Sequence, residues 1–178
     1  MLTTERLVLV GPEVIKASVL LDYHLQNADH FAQAGGTMPE SQRICRQRLK
    51  AETTLWKNDR SYRFYGLLDN ELILDVSLSN LVRGVFQGAH LGYKIAGGHA
   101  RQGLMTEAVD AVVTHAFTRL RLHRLMANYQ PWNTASGRIL EKLGFEREGF
   151  AREYLFINGQ WRDHVLTSKT NKNFRFNR

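Results

Sequence analysis

Apolar and polar residues follow two different spacings along this chain, and the two spacings alternate. Every second residue is apolar in the segment 72–79, which is typical of a half-buried strand, whereas apolar residues recur every three or four positions between Ala108 and Leu120, which predicts an amphipathic helix. Strand-like patterns occur at residues 7–10, 62–68, 72–79, 89–96, 124–130, 145–157 and 160–167. Because helical patterns lie between them, the chain predicts an α/β fold built on a mixed sheet.

Four helices and one tight turn complete the predicted elements. Helical spacing begins shortly after each of four residues, Pro12, Ser41, Gly103 and Asn133. The dipeptide Asn158-Gly159 supplies the positive φ angles that a two-residue type I′ turn needs. The last two predicted strands should therefore pair as a hairpin.

The loop from Gly97 to Gly103, which leads into the longest helix, is the first candidate for a binding site. The first N–H groups of a helix lack partners within it and carry a partial positive charge, so a glycine-bearing loop there is a natural seat for phosphate. Taken alone, close packing of the helix explains the glycine equally well.

The composition describes one globular domain. The chain has 178 residues, of which 43% are hydrophobic and 23% are charged, so it is long enough to bury a core and too apolar to be disordered. We expect residues 1–168 to form the domain and residues 169–178 to form a polar, basic tail without fixed structure.

Cysteine, histidine and hydropathy exclude several classes of protein. Cys45 is the only cysteine, which excludes an intrachain disulfide and suits a cytoplasmic location. The seven histidines lack the spacing of metal ligands, so no metal site is expected. No segment approaches the roughly 20 apolar residues of a membrane span, so no membrane partner is expected.

The net charge of +7 favours a polyanionic partner, such as RNA, a ribosome or a phosphorylated cofactor. Basic residues cluster within residues 43–50, 119–124 and 169–178. Each cluster alone is more simply a solvated charged face. Their sum favours association with a ribosomal or nucleotide-bearing partner.

Several longer motifs carry a family resemblance. They are LGYKI, QGLMTEA, HRLMANYQPWN, ASGRILEKLGFEREG and NGQWRDHVLT, together with TERLVL near the start and SNLVRG in the middle. With these motifs the chain resembles the GCN5-related N-acetyltransferases (GNAT), and within them the RimJ/RimL-type ribosomal-protein alanine and serine acetyltransferases. The resemblance implies a central twisted sheet with helices on both faces. Its fourth and fifth strands, residues 89–96 and 124–130, should splay apart to admit the pantetheine arm of acetyl-CoA.

The resemblance also implies which residues hold acetyl-CoA. The family's loop pattern, Gln/Arg-x-x-Gly-x-Gly/Ala, aligns on Gly103 and cradles pyrophosphate with backbone N–H groups. This chain departs from the pattern at Ala100, and Arg101 is expected to supply charge instead. The predicted cofactor-binding residues are Tyr93, Lys94, Ile95, Arg101, Gln102, Gly103, Leu104, Met105, Thr106 and Asn133.

Direct attack of an amine on the thioester needs no protein nucleophile, so the predicted catalytic residues are an acid and a base. The resemblance implies that Ser136 protonates the departing thiolate; the alternative is that Asn133 and Ser136 only cap a helix. Three carboxylates are candidates for the base: Glu107, Glu153 and Asp75. A helix-end or surface role is commoner for each, and we retain Glu153. The hairpin glutamate of RimL-like relatives aligns with Leu155 and does not carry over.

The acceptor groove is predicted to contain His90 and Tyr129, with Tyr93 and Trp161 as further candidates, beside the loop of residues 32–39. The predicted function is acetyl transfer to the N-terminal α-amine, of alanine, in a ribosomal protein. Two alternatives remain at this stage. One is an acetyltransferase for a small amine such as a polyamine, an amino sugar or a drug. The other is a ribosome- or RNA-associated module with a vestigial cofactor site. A monomer and a homodimer are both compatible with the sequence.

Overall fold

One sheet of mostly antiparallel strands runs through the part of the protein that the structure, a computed structural model, describes: residues 1–33, 35, 39 and 41–176. The strands are β1 (Leu2–Thr3), β2 (Val8–Val10), β3 (Tyr62–Leu68), β4 (Glu71–Val82), β5 (Gly88–Ile95), β6 (Arg124–Met126), β7 (Glu146–Ile157) and β8 (Gln160–Thr170). The helices are α1 (Ala17–Gln26), α2 (Ala28–Ala32), α3 (Gln42–Lys57), α4 (Leu104–Thr118) and α5 (Thr134–Lys142), with a 3-10 turn at Gly97–His99. The strands lie in the order β1-β2-β3-β4-β5-β6-β8-β7.

A gap opens between the parallel neighbours β5 and β6. The two strands pair from Gly88 opposite Arg124 to His90 opposite Met126. β6 ends there, whereas β5 continues to Ile95. The predicted splay is therefore confirmed. The splayed strands are the fifth and sixth because the two-residue strand β1 was not predicted from the sequence.

Helices cover both faces of the sheet, as predicted. On one face, α4 and α5 pack on a core that includes Val109 and Leu140; we call it the α4 face. On the other, α1, α2 and α3 bury Leu20 and Leu49 against Tyr65 of β3; we call it the α1 face. Because side chains alternate along a strand, neighbouring residues of β4 and β5 serve opposite faces.

Two predicted boundaries near the end of the sheet are wrong. β6 stops at Met126 instead of residue 130 because the chain turns away from β5, and Tyr129 then forms only an isolated bridge to Val165 of β8. β8 continues to Thr170, which pairs with Arg124, so the first residues of the predicted tail belong to the sheet. The N–H of Asn171 donates to the His123 carbonyl (2.7 Å), which anchors the chain beyond β8.

The predicted hairpin is confirmed, and its tip reaches the end of α2. Asn158 and Gly159 have φ angles of 51° and 77°, as a type I′ turn requires. The Asn158 Nδ2 donates to the carbonyl of Ala32 (2.7 Å), and Ile157 packs so closely on Gly35 that a Cβ there would lie 2.3 Å from its Cγ2. Of the predicted acceptor loop 32–39, residues 34 and 36–38 lie outside the described residues. No helix in the described ranges is long and apolar enough to cross a membrane.

Candidate active site

The first turn of α4 offers backbone N–H groups that no side chain caps. Gly103 is the N-cap residue, with φ 81° and ψ −11°, a left-handed conformation that favours glycine. Within the described residues, no side chain accepts a hydrogen bond at this helix start, whereas Ser41 caps α3 and Asn133 caps α5. The N–H groups of this turn and the partial positive charge of the helix end fit a phosphate group.

The α4 turn is held in place by the N-terminal segment of the chain. The Glu107 carboxylate accepts hydrogen bonds from the Thr4 hydroxyl, the Arg6 N–H (2.8 Å) and the Arg6 Nε (2.8 Å). The guanidinium of Arg6 also donates to the Gln102 carbonyl (3.0 Å). Burial alone raises the pKa of Glu107, but the hydrogen bonds from Thr4 and Arg6 outweigh it and lower the pKa. We call this arrangement the Arg6–Glu107 clamp.

A pair of hydroxyl groups spans the gap between β5 and α5 on the α4 face. The Tyr93 hydroxyl lies 2.8 Å from the Ser136 Oγ, and burial raises the pKa of Tyr93 to about 12. Asn133 Oδ1 accepts the Ser136 N–H (3.1 Å). Asn133 is therefore the cap of α5, and the Ser136 hydroxyl is left to interact with Tyr93.

A cavity of about 480 Å³ lies against the other side of β5, on the α1 face. Four of its lining residues are charged: Arg48, Arg63, Asp75 and Lys94. The apolar and small residues around them come from α2, the segment between α2 and α3, α3, β4 and β5: Phe31, Gly35, Pro39, Ile44, Ser77, Gly92 and Tyr93. We call it the acceptor cavity because it lies across β5 from the hydroxyl pair.

Asp75 is the most buried charged group of this cavity, with 2% of its surface exposed. Its Oδ1 accepts a hydrogen bond from Arg63, whose Nε also lies 2.9 Å from Glu52. Its Oδ2 has no hydrogen-bond partner among the described residues, and the Lys94 Nζ lies 3.9 Å from it. An unpaired buried carboxylate oxygen is costly, so Asp75 Oδ2 is suited to receive an N–H group from a ligand.

His24 contacts two of the charged residues that line the cavity, Arg48 and Lys94. Its side chain is fully buried, and burial, followed by the charges of Lys94 and Arg48, lowers its pKa from 6.5 to about 4. Burial, assisted by Arg48 and Arg63 and opposed by Asp75, lowers the pKa of Lys94 to about 8.

The three candidate bases from the sequence lie in different places. Glu107 is held in the Arg6–Glu107 clamp, which favours its structural role at a helix end. Asp75 lines the acceptor cavity. Glu153 is exposed in a bulge of β7, where its φ is 48° and its N–H donates to Asp163 Oδ1 (2.8 Å); its role as a base stays a prediction.

The predicted acceptor residues are also dispersed. His90 lies on β5 on the same side as Lys94, and its Nδ1 is buried without a partner in the described part of the chain. Tyr129 packs under α5 against Gly137. Trp161 is 58% exposed and contacts the ring of Phe156 on the hairpin.

The predicted cofactor residues in and beside the loop before α4 differ in exposure. Leu104 and Met105 are buried in the α4 core, so only their backbone is available to a ligand. Arg101 and Gln102 are exposed; Arg101 has φ 66°, and Gln102 donates from Nε2 to the Gly98 carbonyl (3.1 Å). Ile95 and Thr106 are partly exposed at the two ends of this loop region.

Sequence reasoning missed the charged network around Lys94. His24, Arg48, Glu52 and Arg63 each stand among apolar residues whose spacing buries one face of α1, α3 or β3. A signal was present, because Arg63 alternates with Tyr62 and Phe64 in a strand predicted to be half-buried. Which charges would meet was not readable from the sequence. Within the described ranges, no group of three or more His, Cys, Asp or Glu residues is arranged to hold a metal ion.

Comparison with known proteins gives a consistent result. The family model of the acetyltransferase (GNAT) domain matches residues 6–146. The ribosomal protein uS5-alanine N-acetyltransferase of Escherichia coli (strain K12) is 38% identical over 175 residues, which cover 95% of this chain and 90% of that protein. These matches contain the α4 turn, the gap and Ser136.

Two solved structures have the same fold. The ribosomal-protein-S5-alanine acetyltransferase from Vibrio fischeri superposes with a TM-score of 0.89 at 32% identity, covering 96% of this chain and 94% of that chain. Mycobacterium smegmatis RimJ in complex with CoA-disulfide gives a TM-score of 0.84 at 25% identity, covering 96% of this chain and 83% of that chain.

Proposed function

The chain belongs to the GNAT acetyltransferase family and is an acetyl-CoA-dependent N-acetyltransferase, and on this premise we propose that its acceptor is the N-terminal α-amine, of alanine, of a ribosomal protein. The observation that carries the proposal is the occurrence of an uncapped α4 turn together with a hydroxyl pair between β5 and α5. The relatives that act on ribosomal protein S5 support the choice of acceptor. A ribosomal acceptor would place the reaction in the cytoplasm.

The cofactor-binding residues in this proposal are those of the α4 turn and β5. Backbone N–H groups of Gly103, Leu104, Met105 and Thr106 would hold the pyrophosphate, with Arg101 and Gln102 beside it. The part of β5 that has no partner on β6, Tyr93 to Ile95, would hold the pantetheine arm, and Asn133 would contact its amide. Acetyl-CoA supplies an activated acetyl group and a thiolate leaving group.

Ser136 is proposed as the acid that protonates the leaving thiolate. Its hydroxyl belongs to the pair with Tyr93, and the pKa of Tyr93 is raised to about 12, so the phenol stays protonated and can donate to Ser136. The Ser136 alkoxide that remains after proton transfer to the thiolate would thus be stabilised by the Tyr93 hydroxyl. No protein nucleophile is needed, because the amine attacks the thioester carbonyl directly.

Two physical arguments support the proposed acceptor. A peptide α-amine has a pKa of about 7.7–8.0, so it loses its proton far more readily than a lysine side chain of pKa about 10.4. The net charge of +7 would guide the enzyme toward exposed rRNA, which also supports ribosome association. Specificity for alanine rests on the relatives.

Peptide acetylation measured by mass spectrometry tests this proposal. Short peptides that begin with alanine or serine should gain one acetyl group at the N-terminus, prior formylation should block the reaction, and internal lysines should be largely spared. Modification confined to lysine side chains would contradict the proposal.

A small amine is the second candidate acceptor, and one observation favours it. Asp75 Oδ2, buried and unpaired at the acceptor cavity, could hold a compact ammonium group. A parallel screen with spermidine and aminoglycosides therefore belongs to the same experiment. Acetylation of these amines without acetylation of peptides would select this second function.

A further inference from the structure

We propose that Lys94 is the general base of this enzyme, and that its neutral Nζ takes the proton from the ammonium group of the acceptor. The inference rests on the proposed function only in requiring that the acceptor is an amine. It concerns the Lys94 side chain, whereas the cofactor-binding role proposed above concerns the backbone of the same residue.

The position of Lys94 links the acceptor cavity to the reaction gap. Tyr93 and Lys94 are neighbours on β5, so their side chains leave the strand on opposite faces. The Tyr93 hydroxyl meets Ser136 on the α4 face, whereas Lys94 lines the acceptor cavity on the α1 face. An amine that approaches the gap through the cavity passes the Lys94 Nζ.

The contacts of His24 favour the neutral form of Lys94. The Arg48 guanidinium lies 3.2 Å from His24 Nε2. Arginine can only donate, so Nε2 must accept, and the single proton of the neutral imidazole is on Nδ1. The Lys94 Nζ lies 3.5 Å from Nδ1. An ammonium group cannot accept a hydrogen bond, so only the free amine of Lys94 satisfies this contact.

Several other groups affect the protonation of the Lys94 amine, and some of them favour its ammonium form. Asp75, at 3.9 Å, and the ring of Phe31, whose centroid lies 4.7 Å from Nζ, favour the ammonium form. Arg48 and Arg63 disfavour it, and burial has the largest effect, so the pKa of Lys94 falls to about 8. The titratable and charged groups around Lys94 are Tyr23 and His24 of α1, Arg48 and Glu52 of α3, Arg63 and Tyr65 of β3, and Asp75 of β4.

Neighbouring side chains provide a hydrogen-bond partner for both the free-amine and the ammonium form of Lys94. The free amine accepts from His24 Nδ1, and the ammonium form can turn to the unpaired Asp75 Oδ2. In the proposed step the acceptor ammonium gives one proton to Nζ, which leaves a neutral acceptor amine and a Lys94 ammonium. The acceptor lone pair then attacks the thioester carbonyl, the sulfur leaves with the proton of Ser136, and the proton that the acylated nitrogen must lose restores the Ser136 hydroxyl. A base of pKa about 8 is matched to an α-ammonium of pKa about 7.7–8.0.

Direct titration of Lys94 tests the structural part of the inference without any acceptor. Side-chain hydrogen–nitrogen correlation spectra of ¹⁵N-labelled protein, with Lys94→Arg for assignment, should show Lys94 titrating near pH 8, whereas an exposed lysine titrates near 10.4. Titration of Lys94 near the exposed value would overturn the proposal.

Kinetics on two Lys94 variants test the catalytic part. At pH 7, kcat for Lys94→Gln should fall by about 100-fold, with the Kd of acetyl-CoA unchanged. The deficit should shrink above pH 8, because the acceptor then arrives already neutral. Lys94→Arg should lose as much, because arginine keeps the charge beside Asp75 but cannot take up a proton. Lys50→Gln, on the exposed side of α3, is the matched control and should leave kcat unchanged.

Two outcomes of this experiment would contradict the proposal. Full activity in Lys94→Arg would mean that Lys94 serves only as a cation for Asp75. Full activity in Lys94→Gln with loss in Glu153→Gln would give the role of base to the hairpin instead. If peptides are not acetylated but another amine is, the same variants are assayed on that amine, so the acceptor and the base are judged separately. Thermal melts of each variant confirm that the protein remains folded.

Discussion

The two faces of the sheet build their halves of the site in different ways. On the α4 face, backbone N–H groups and two hydroxyls come from one continuous stretch of chain, from Tyr93 to Ser136. On the α1 face, neutral His24 of α1 and charged side chains from α3, β3, β4 and β5 meet in one buried network. A backbone site tolerates many side-chain changes and fails when the backbone is altered. A side-chain network fails when one charge is lost, because its partner remains buried without compensation.

The largest effect is expected from a change to the backbone site. Gly103→Glu introduces a side chain at φ 81° and a negative charge where phosphate would lie, so acetyl-CoA affinity should fall by more than about 1000-fold, or about 4 kcal/mol. Gly84→Glu is the matched control, because Gly84 also has a positive φ (68°) and nothing lies within 4 Å of a Cβ there. If calorimetry shows that folded Gly103→Glu binds acetyl-CoA with unchanged affinity, the α4 turn is not part of the cofactor site.

Burial of His24 in the network of the α1 face should make the unfolding free energy of the protein fall at acid pH. His24 is buried as a neutral group with a pKa near 4 instead of 6.5, so the unfolded chain binds more protons between these values and stability falls as the pH falls through this window. The contribution amounts to about 3 kcal/mol between pH 7 and pH 4. Denaturant unfolding at several pH values should show a flatter profile for His24→Gln. Parallel profiles for the two proteins would contradict the neutral burial of His24.

Ser136 belongs to the hydroxyl pair of the α4 face, and its loss should affect the rate alone. Ser136→Ala should lower kcat by about 100-fold if the hydroxyl protonates the thiolate, with acetyl-CoA affinity nearly unchanged. Ser41 offers a matched control, since its side chain caps α3 by accepting the Ile44 N–H. Ser41→Ala should cost about 1 kcal/mol of stability and leave kcat alone. A stability loss without a rate loss in Ser136→Ala would return this serine to a structural role.

The smallest effect is expected at Asn133, where two roles can be separated. Asn133→Ala should lower the unfolding free energy by about 1 kcal/mol, because it removes the cap of α5. Asn133→Asp keeps the capping oxygen but lacks the amide donor, so stability should be retained. If the amide also contacts the pantetheine arm, both variants should weaken acetyl-CoA binding by about three- to tenfold. Equal affinity of Asn133→Asp and the wild type would limit Asn133 to capping.

The sequence predicted the elements that depend on local pattern. The strand Tyr62–Leu68, the Asn158-Gly159 hairpin, the start of α3 after Ser41 and the splay beside β5 all follow from spacing, turn chemistry or family motifs. The α4 turn could be singled out for the same reason, since a glycine at a helix start is a local signal.

The acceptor side could not be predicted to the same degree, for a physical reason. The pairings of Lys94 with His24 and of Asp75 with Arg63 join residues that are 70 and 12 positions apart. Periodicity indicates that such residues are buried but not which of them meet. β6 was predicted too long because residues 127–130 keep a strand-like pattern after they leave β5 for β8.

The Arg6–Glu107 clamp couples acetyl-CoA binding at the α4 turn to the order of the N-terminal segment. Any ligand that stabilises the α4 turn also favours the state in which Thr4 and Arg6 are bound to Glu107. Amide exchange at Leu7, whose N–H donates to Thr4 Oγ1 (3.0 Å), should therefore slow when acetyl-CoA is added. Because the coupling is reciprocal, a bulky N-terminal fusion that disrupts the contacts of Thr4 and Arg6 with Glu107 should weaken acetyl-CoA binding. Amide exchange in the first residues of the chain should therefore report whether a ligand is bound at the start of α4.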